Sequence, residues 1–432
     1  MHKLLYEAKK LRMHYNKKTM SRAAALDIVI PEIKLKQDLL VNYDTSVPHI
    51  IKYMGSKRNI LDFVIEAISD TYQEGKLCDL FGGTSILSGA LGKLIPMHSN
   101  DIQEYSAIFA KTYLLNYEWN NYPSNILDEI IEKASKYVRS VEKKYPDFIF
   151  SYSEKKTIKE FVELEKQQQD LMEFNFGYLS HHLFCKYYSG TYWSYQQCLW
   201  IDAIRKVADE YKNSPLYYVI LSSLMFAMSY NSQSTGHYAQ YRDATNLSSK
   251  TDILIYRQKE ILPYFIKKFK TLQSYLDKNS LDHKVTSLDY LQCLDQIESN
   301  SLVYADPPYA FVHYSRFYHA LETLVKYDYP EVYHKGRYRK DRHQSPFCKR
   351  TEVNLAFTEM FSKIKVKNAN LILSYSNTGM ISLDEIIDSA HKNLGNSYEI
   401  TFKEVAYKHS TMGRKDDKNR SVQEYLIIAK HS

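Results

Sequence analysis

The order of elements between residues 77 and 101 constrains the fold most. Leu77-Cys78-Asp79-Leu80-Phe81 is a short apolar run that ends in Gly82-Gly83. It reads as a strand entering a tight turn. Ile86, Leu87, Ala90, Leu91 and Leu94 then recur at helical spacing, and a second short strand runs into Asn100-Asp101. Strand, glycine turn, helix, strand, acid is the βαβ order of nucleotide-binding sheets. The chain lacks both G-x-G-x-x-G and G-x-x-x-x-G-K-[ST], which counts against a dinucleotide and against an ATPase phosphate loop.

The same pattern resumes far downstream. Leu302-Val303-Tyr304-Ala305 reads as a buried strand, Leu355, Phe357, Phe361 and Ile364 as a helix, and Leu371-Ile372-Leu373 as a further strand. Tyr398 to Tyr407 and Val422 to Ala429 alternate like an antiparallel pair. Residues 121–280 are helical and polar at first, then carry the aromatic stretch from Tyr187 to Tyr195 and a loop from Asn231 to Asn246. That is too long for a connection inside one βαβ unit. The expected organisation is a basic N-terminal extension over 1–49, a catalytic unit over 50–120 and 281–432, and an inserted domain over 121–280. A length of 432 residues allows this many units. With 44% apolar and 25% charged residues, the chain can bury a full core, which excludes disorder as the main state.

Five cysteines with no CxxC pair exclude a disulfide scaffold and a paired-cysteine zinc site, and they fit a reducing cytoplasm, the expected location. His181-His182 is adjacent, which is poor geometry for one metal, so no metal is expected. No secretory signal is visible, and Pro215 to Tyr230, with its three serines, reads as a buried helix.

The most specific chemical signal is Asp306-Pro307-Pro308-Tyr309, directly after a buried-strand run. Two prolines stop a strand, which is reason enough for a turn. Chemistry offers a sharper reason. An exocyclic amino group on a nucleobase is a poor nucleophile because its lone pair is delocalised into the ring. A carboxylate and a rigid proline carbonyl can both accept its hydrogens and favour a pyramidal nitrogen. An adjacent tyrosine can stack on a base turned out of its helix. Two further segments are suited to a ligand. Gly82-Gly83 lets one approach the backbone, and Asp101, at the end of the next strand, can grip ribose hydroxyls. Tyr53-Met54-Gly55-Ser56-Lys57 puts a glycine turn ahead of an apolar helix, where free N–H groups suit an anion.

These segments, in this order, resemble the Dam-like (alpha-group) DNA adenine methyltransferases, whose order is Tyr-x-Gly-x-Lys, Asp-x-Phe-Gly-Gly, a target-recognition insert and Asp-Pro-Pro-Tyr. The resemblance covers about residues 50–430; Thr84-Ser85 replaces a further Thr-Gly after the glycines. It implies an α/β fold, a Rossmann-like S-adenosylmethionine-dependent methyltransferase sheet of seven strands with a reversed last strand, carrying a mostly helical inserted target-recognition domain. It implies catalytic roles for Asp306, Pro307, Pro308 and Tyr309. It also implies a donor site from Tyr53, Gly55, Lys57, Asp79, Phe81, Gly82, Gly83 and Asp101, with Asp289 matching a further motif. The expected activity is site-specific transfer of methyl from S-adenosylmethionine to adenine N6 of double-stranded DNA, as in the modification arm of a restriction–modification system. A restriction endonuclease acting on the same site would be a partner that need not bind.

The formal charge is +7, and it is unevenly placed. Lys3 to Arg22 and His334 to Arg350 each hold seven basic residues against one acid. Such clustering suggests contact with phosphates. Lys335, Arg337, Arg339, Arg342 and Arg414 are the expected phosphate contacts. The aromatic stretch and the 231–246 loop, with Asn231 and Arg242, are the expected base readers. The total of 39 tyrosines suits surfaces that stack on bases. Methylation at cytosine carbon is disfavoured because no proline is followed by cysteine. Amino methylation of cytosine more often has Ser in place of the first Asp. Two rival readings stay open: an RNA adenine methyltransferase, and a non-catalytic sequence-reading DNA-binding protein on the same fold.

Overall fold

The computed structural model describes residues 34–233, 237–309, 313–408 and 421–432. Its centre is a seven-stranded sheet of β1 (Leu77–Asp79), β2 (Met97–Asn100), β3 (Lys284–Thr286), β4 (Leu302–Ala305), β7 (Asn370–Ser376), β8 (Tyr398–Lys408) and β9 (Ser421–His431). A separate hairpin joins β5 (Val332–Tyr333) to β6 (Tyr338–Arg339). The strand order is β3-β2-β1-β4-β7-β9-β8. Strands β3, β2, β1, β4 and β7 are parallel, and β9 runs antiparallel to both β7 and β8. The antiparallel pair expected near the C-terminus is therefore β8 and β9. Strand β3 carries no comparable sequence signal. It is three residues long, half-buried and at the sheet edge, so it lacks the apolar run of a central strand.

The period of two along the strands divides the core between the two faces. Leu77, Leu302, Tyr304, Ile372, Leu426 and Ile428 face one cluster. Cys78, Val303, Ala305, Leu371, Leu373 and Ile427 face the other. The second face is closed by the helices Val353–Val366 and Leu383–Leu394. The first is closed by Leu61–Thr71, Ile86–Leu91 and Glu104–Leu114.

Between β2 and β3 every named element is a helix. The helix Leu216–Asn231 is apolar nearly all round and buried, as expected. It packs between Glu104–Leu114 and Ile261–Tyr275. Its core is continuous with that of the sheet. No helix among the described residues is long and apolar enough to cross a membrane. Residues 34–42 form a helix, and Leu39 and Val47 are buried in the same core. The basic segment from Lys3 to Arg22 lies outside the described residues.

The aromatic stretch expected to read bases is core. Tyr188, Tyr192 and Trp193 are fully buried, packed with Tyr238 and His319. Two of its carbonyls, on Thr191 and Tyr192, accept from Arg257, with Arg257 Nη1 lying 2.9 Å from the Tyr192 oxygen. Arg257 also grips Glu165 through two bonds of 3.0 and 2.7 Å. One guanidinium thus ties the helices Ile158–Gln169 and Leu247–Arg257 to this turn. Removing one member of a buried pair strands the other charge, at about 3–5 kcal/mol. Arg257→Ala is therefore expected to lower unfolding free energy by that order in urea titration, and a change under about 1 kcal/mol would contradict this account.

Candidate active site

Parallel strands deliver their C-terminal loops to one edge of the sheet, and a ligand crevice forms where successive connections leave in opposite directions. Here that point lies between β1 and β4, since β1 leads to β2 on one side and the strand beyond β4 is β7 on the other. The loops after β1, β2 and β4 open into one cleft. All twelve residues expected in catalysis and donor binding line it: Tyr53, Gly55, Lys57, Asp79, Phe81, Gly82, Gly83, Asp101 and Asp306 to Tyr309. Asp289 lines it too, and its carboxylate accepts from Leu291 N at 2.9 Å, capping the helix Tyr290–Asp295.

The glycine turn is held from below. Gly82 N donates to Asn100 O at 2.7 Å, and Gly83 N donates to Asp101 Oδ2 at 2.9 Å. Gly83 has a φ of +52°, a backbone that glycine adopts without strain. Asp101 Oδ1 accepts from Gln103 N at 2.9 Å. Burial raises the Asp101 pKa, and these two N–H groups pull against that rise. The Ser106 side chain adds a third hydrogen bond to this carboxylate. Phe81 packs against Tyr290 and Phe347, giving the cleft an apolar wall. On the other side Tyr53 stacks against both Tyr314 and Tyr318, at centroid distances of 5.3 and 4.6 Å, and those two rings contact each other at 6.2 Å.

Lys57 is not open to the cleft as a free cation. Its side chain is 4% exposed, and Nζ lies 2.9 Å from Asp306 Oδ1 and 2.6 Å from Glu424 Oε1. It also sits 5.3 Å from the Tyr309 ring centroid. Burial disfavours the ammonium, but Asp306, Tyr309 and Glu424 outweigh it and hold the pKa well above the ordinary value. For Asp306, burial is the largest effect and raises the pKa. Lys57 opposes that rise, Glu424 adds to it, and the pKa is pushed up to about 6. Asp79, also buried, is raised well above the carboxylate range, first by desolvation and then by Asp306 and Asp101. Four carboxyl groups, of Asp79, Asp101, Asp289 and Asp306, thus line one cleft with the buried Lys57 ammonium beside Asp306, a setting suited to a cationic ligand.

The sequence reading missed Glu424. A signal was present: the alternation of β9 puts it on the same face as Leu426 and Ile428, where a charge is out of place. It also missed a grouping assembled in space. Cys78, His98 and Cys293 bring ligand-type atoms within 4.8 Å of one another. The hydrogen bonds there argue against a metal. Asn100 Oδ1 accepts from Leu288 N at 3.1 Å, so it also accepts the Thr286 hydroxyl at 2.8 Å. The Thr286 oxygen must then accept from His98 Nε2 at 3.0 Å, which leaves that nitrogen protonated and without a lone pair.

A family model described as D12 class N6 adenine-specific DNA methyltransferase matches residues 53–377. The chain belongs to this family. It is 24% identical over 352 residues to "Modification methylase LlaI" of Lactococcus lactis subsp. lactis, covering 79% of this chain and 49% of that protein. It is 26% identical over 374 residues to "Type II methyltransferase M.FokI" of Planomicrobium okeanokoites, covering 83% and 50%. With "Type II methyltransferase M.NlaIII" of Neisseria lactamica it shares 22% identity over 390 residues, covering 88% and 98%. The chain therefore spans about half the length of the first two relatives.

The family description names DNA as what is modified, so the placement of the basic residues matters. Asn231 is fully buried, and its amide donates to Ala227 O at 2.7 Å within its own helix, so it cannot reach a base edge. Arg339 is 3% exposed and holds Asp328 and Asp341. Its role is to close the β5–β6 hairpin. Arg337 is spent on the carbonyls of Tyr187 and Gln169. These three depart from the expected DNA contacts because the fold uses each inside the protein: Asn231 within its own helix, Arg339 on the acids flanking its hairpin, and Arg337 on carbonyls remote in sequence. Arg242 and Lys335 remain at the surface, paired with Asp252 and Asp243. Arg342 stays near the cleft, 3.4 Å from Ser315 Oγ and 5.5 Å from the Tyr338 ring, and Arg316, which the sequence reading did not single out, lies 5.6 Å from that ring. Neither pairs with a carboxylate among the described residues. Arg414 lies outside the described residues.

The turn that carries Lys57 depends on Gly55, whose φ is +74°. A Cβ there would lie 2.8 Å from the Tyr314 hydroxyl. Gly55→Ala is expected to cost about 1–2 kcal/mol in backbone strain alone, with a steric penalty added. Adding Tyr314→Phe should recover the steric share. Thermal unfolding of the two variants checks this, and no recovery in the double variant would contradict the contact.

Proposed function

We propose that this protein is a site-specific DNA adenine-N6 methyltransferase that uses S-adenosylmethionine, with the motif order of the Dam-like alpha group, and that it serves as the modification enzyme of a restriction–modification system. The observation that carries the reading is the convergence of Asp306-Pro307-Pro308-Tyr309, Gly82-Gly83 and Asp101 on one cleft at the topological switch of the sheet. The names of the related modification methylases support it.

The residues fit the donor. Gly82-Gly83 admits its backbone approach, Asp101 suits ribose hydroxyls, Phe81 and Tyr290 offer an apolar wall, and Asp79 suits a cationic sulfonium. When bound, S-adenosylmethionine supplies an electrophilic methyl group on sulfur. The protein's own task is to present the amine. An adenine turned out of its duplex stacks on Tyr309. Its amino hydrogens are accepted by the Asp306 carboxylate and the Pro307 carbonyl, which localises the nitrogen lone pair. With the donor held there, its methyl group would pass from sulfur to that nitrogen, an N–C bond replacing the S–C bond, and the surplus N6 proton would leave along the hydrogen bond to Asp306 and pass to water. No covalent enzyme intermediate is required, and the rate rests on positioning and electrostatics.

Arg242, Lys335, Arg342 and Arg414 are the contacts we assign to DNA phosphates, and the helical segment 121–280 is the unit we assign to target recognition. Expression in a methylation-deficient bacterial host should give N6-methyladenine in one recurring sequence, read by methylome sequencing, and none with Asp306→Ala. The variant should still bind S-adenosylmethionine in calorimetric titration. Near-normal methylation by Asp306→Ala would refute the mechanism, and donor binding without any DNA methylation would point to an RNA acceptor. Because Asp306 must be ionised to accept the amino hydrogens, kcat/KM should fall as pH drops through about 6. An acid limb near the ordinary carboxylate value would contradict the assigned environment.

A further inference from the structure

Glu424 has no part in the mechanism above, yet it is the most deeply buried charge near the reacting centre. It is 0% exposed, and its Oε1 accepts from both Lys57 Nζ at 2.6 Å and Ser374 Oγ at 2.6 Å. Its other oxygen, Oε2, is buried with no hydrogen-bond partner among the described residues. A buried carboxylate with one unmatched oxygen is costly. Packing alone would be served better by an apolar side chain, as Leu426 and Ile428 show on the same face of β9. Lys57 completes the connection, since the same ammonium lies 2.9 Å from Asp306 Oδ1.

We propose that Glu424 is a positioning residue for methyl transfer: it anchors the Lys57 ammonium against β9 and β7, and through Lys57 it fixes where the Asp306 carboxylate points and how firmly it is held. The proposal rests on the functional reading above. Lys57 has two carboxylates to serve. With Glu424 present, its charge is shared, and Asp306 stays a good acceptor. Without that charge, Lys57 belongs to Asp306 alone, and the ion pair competes with the amino group of the base. The groups facing Asp306 are Lys57, Glu424 and Asp79, with the phenols of Tyr304, Tyr309 and Tyr314. Of these, Lys57 and Glu424 bear on its ionisation in opposite senses. Neutralising Glu424 therefore leaves Lys57 unopposed and moves the Asp306 titration to lower pH.

The test compares wild type, Glu424→Gln and Ser374→Ala in methyl transfer to duplex DNA from S-adenosylmethionine across pH. Glu424→Gln keeps the shape and removes the charge. It is expected to lower kcat about tenfold, the low end of what a supporting partner contributes. KM for both substrates should stay within about twofold, and the acid limb should shift to lower pH. Ser374→Ala loosens Glu424 but keeps its charge, so kcat falls while the acid limb stays. Wild-type kcat in Glu424→Gln, or a uniform loss with an unmoved acid limb, would overturn the proposal. The carbon-13 carboxyl titration of Asp306 in wild type and Glu424→Gln reads the same shift without turnover. Should wild type fail to methylate DNA, the functional reading falls, and this titration still decides the role of Glu424.

Discussion

One buried ammonium organises the working edge of this protein. Lys57 reaches the centre of the cleft from a turn that precedes the helix Leu61–Thr71, and it is held there by carboxylates from β9 and from the loop after β4. Burial disfavours the charged forms of Lys57 and Asp306, and each supports the charge of the other. The pairing joins residues 57, 306 and 424, so a segment ahead of the sheet, the middle of the chain and its last strand must all be in place before the site exists.

The strand order explains how such distant residues meet. In a parallel sheet the C-terminal loops share one edge, which accounts for Asp79, Asp101 and Asp306. A parallel last strand would bring its first residues to the opposite edge. Because β9 runs antiparallel to β7, its early residues lie at the C-terminal end of β7, where Glu424 pairs with Ser376. The reversal of the last strand is thus what allows a carboxylate from β9 to reach Lys57. It also leaves Ser374, on the same side of β7, within reach of Glu424.

The sequence was readable where the chemistry is local. Gly82-Gly83 after a strand, an acid after the next strand and Asp-Pro-Pro-Tyr after a third each depend on neighbours within a few residues, and each marks a segment that lines the cleft. Most of the sheet was readable for the same reason, since a buried strand carries its own apolar run. What was not readable is set by distant partners. The exposure of Asn231 is decided by the packing of a whole helix, and the environment of Arg339 by Asp328 across a hairpin. Lys57 looked like a residue for the donor because its turn suits an anion, whereas its ammonium is taken by two carboxylates 249 and 367 residues away. The edge strand β3 failed differently: half-exposed on a sheet margin, it needs no apolar pattern to form.

The basic run from His334 to Arg350 shows how far a charge count can mislead. Read alone, it is a strong positive patch. In the folded chain Lys335 faces Asp243, Arg339 faces Asp328 and Asp341, Lys340 faces Glu331 and Lys349 faces Glu352. The run closes a hairpin and fastens it to the helical segment, and most of its charge is balanced by acids outside it. Arg342 stands apart, near Arg316 and the same Tyr338 ring, beside residues that line the cleft. Burial and the neighbouring Arg316 both depress the Arg342 pKa. Two guanidinium groups at one ring, neither paired with a carboxylate among the described residues, are an unfavourable arrangement that an anion would relieve. A nucleic-acid backbone entering the cleft to present a base would bring phosphates to its mouth. The local charge that matters for such a ligand is set by which cations the fold leaves unpaired at the cleft, a quantity that no linear count of lysine and arginine contains.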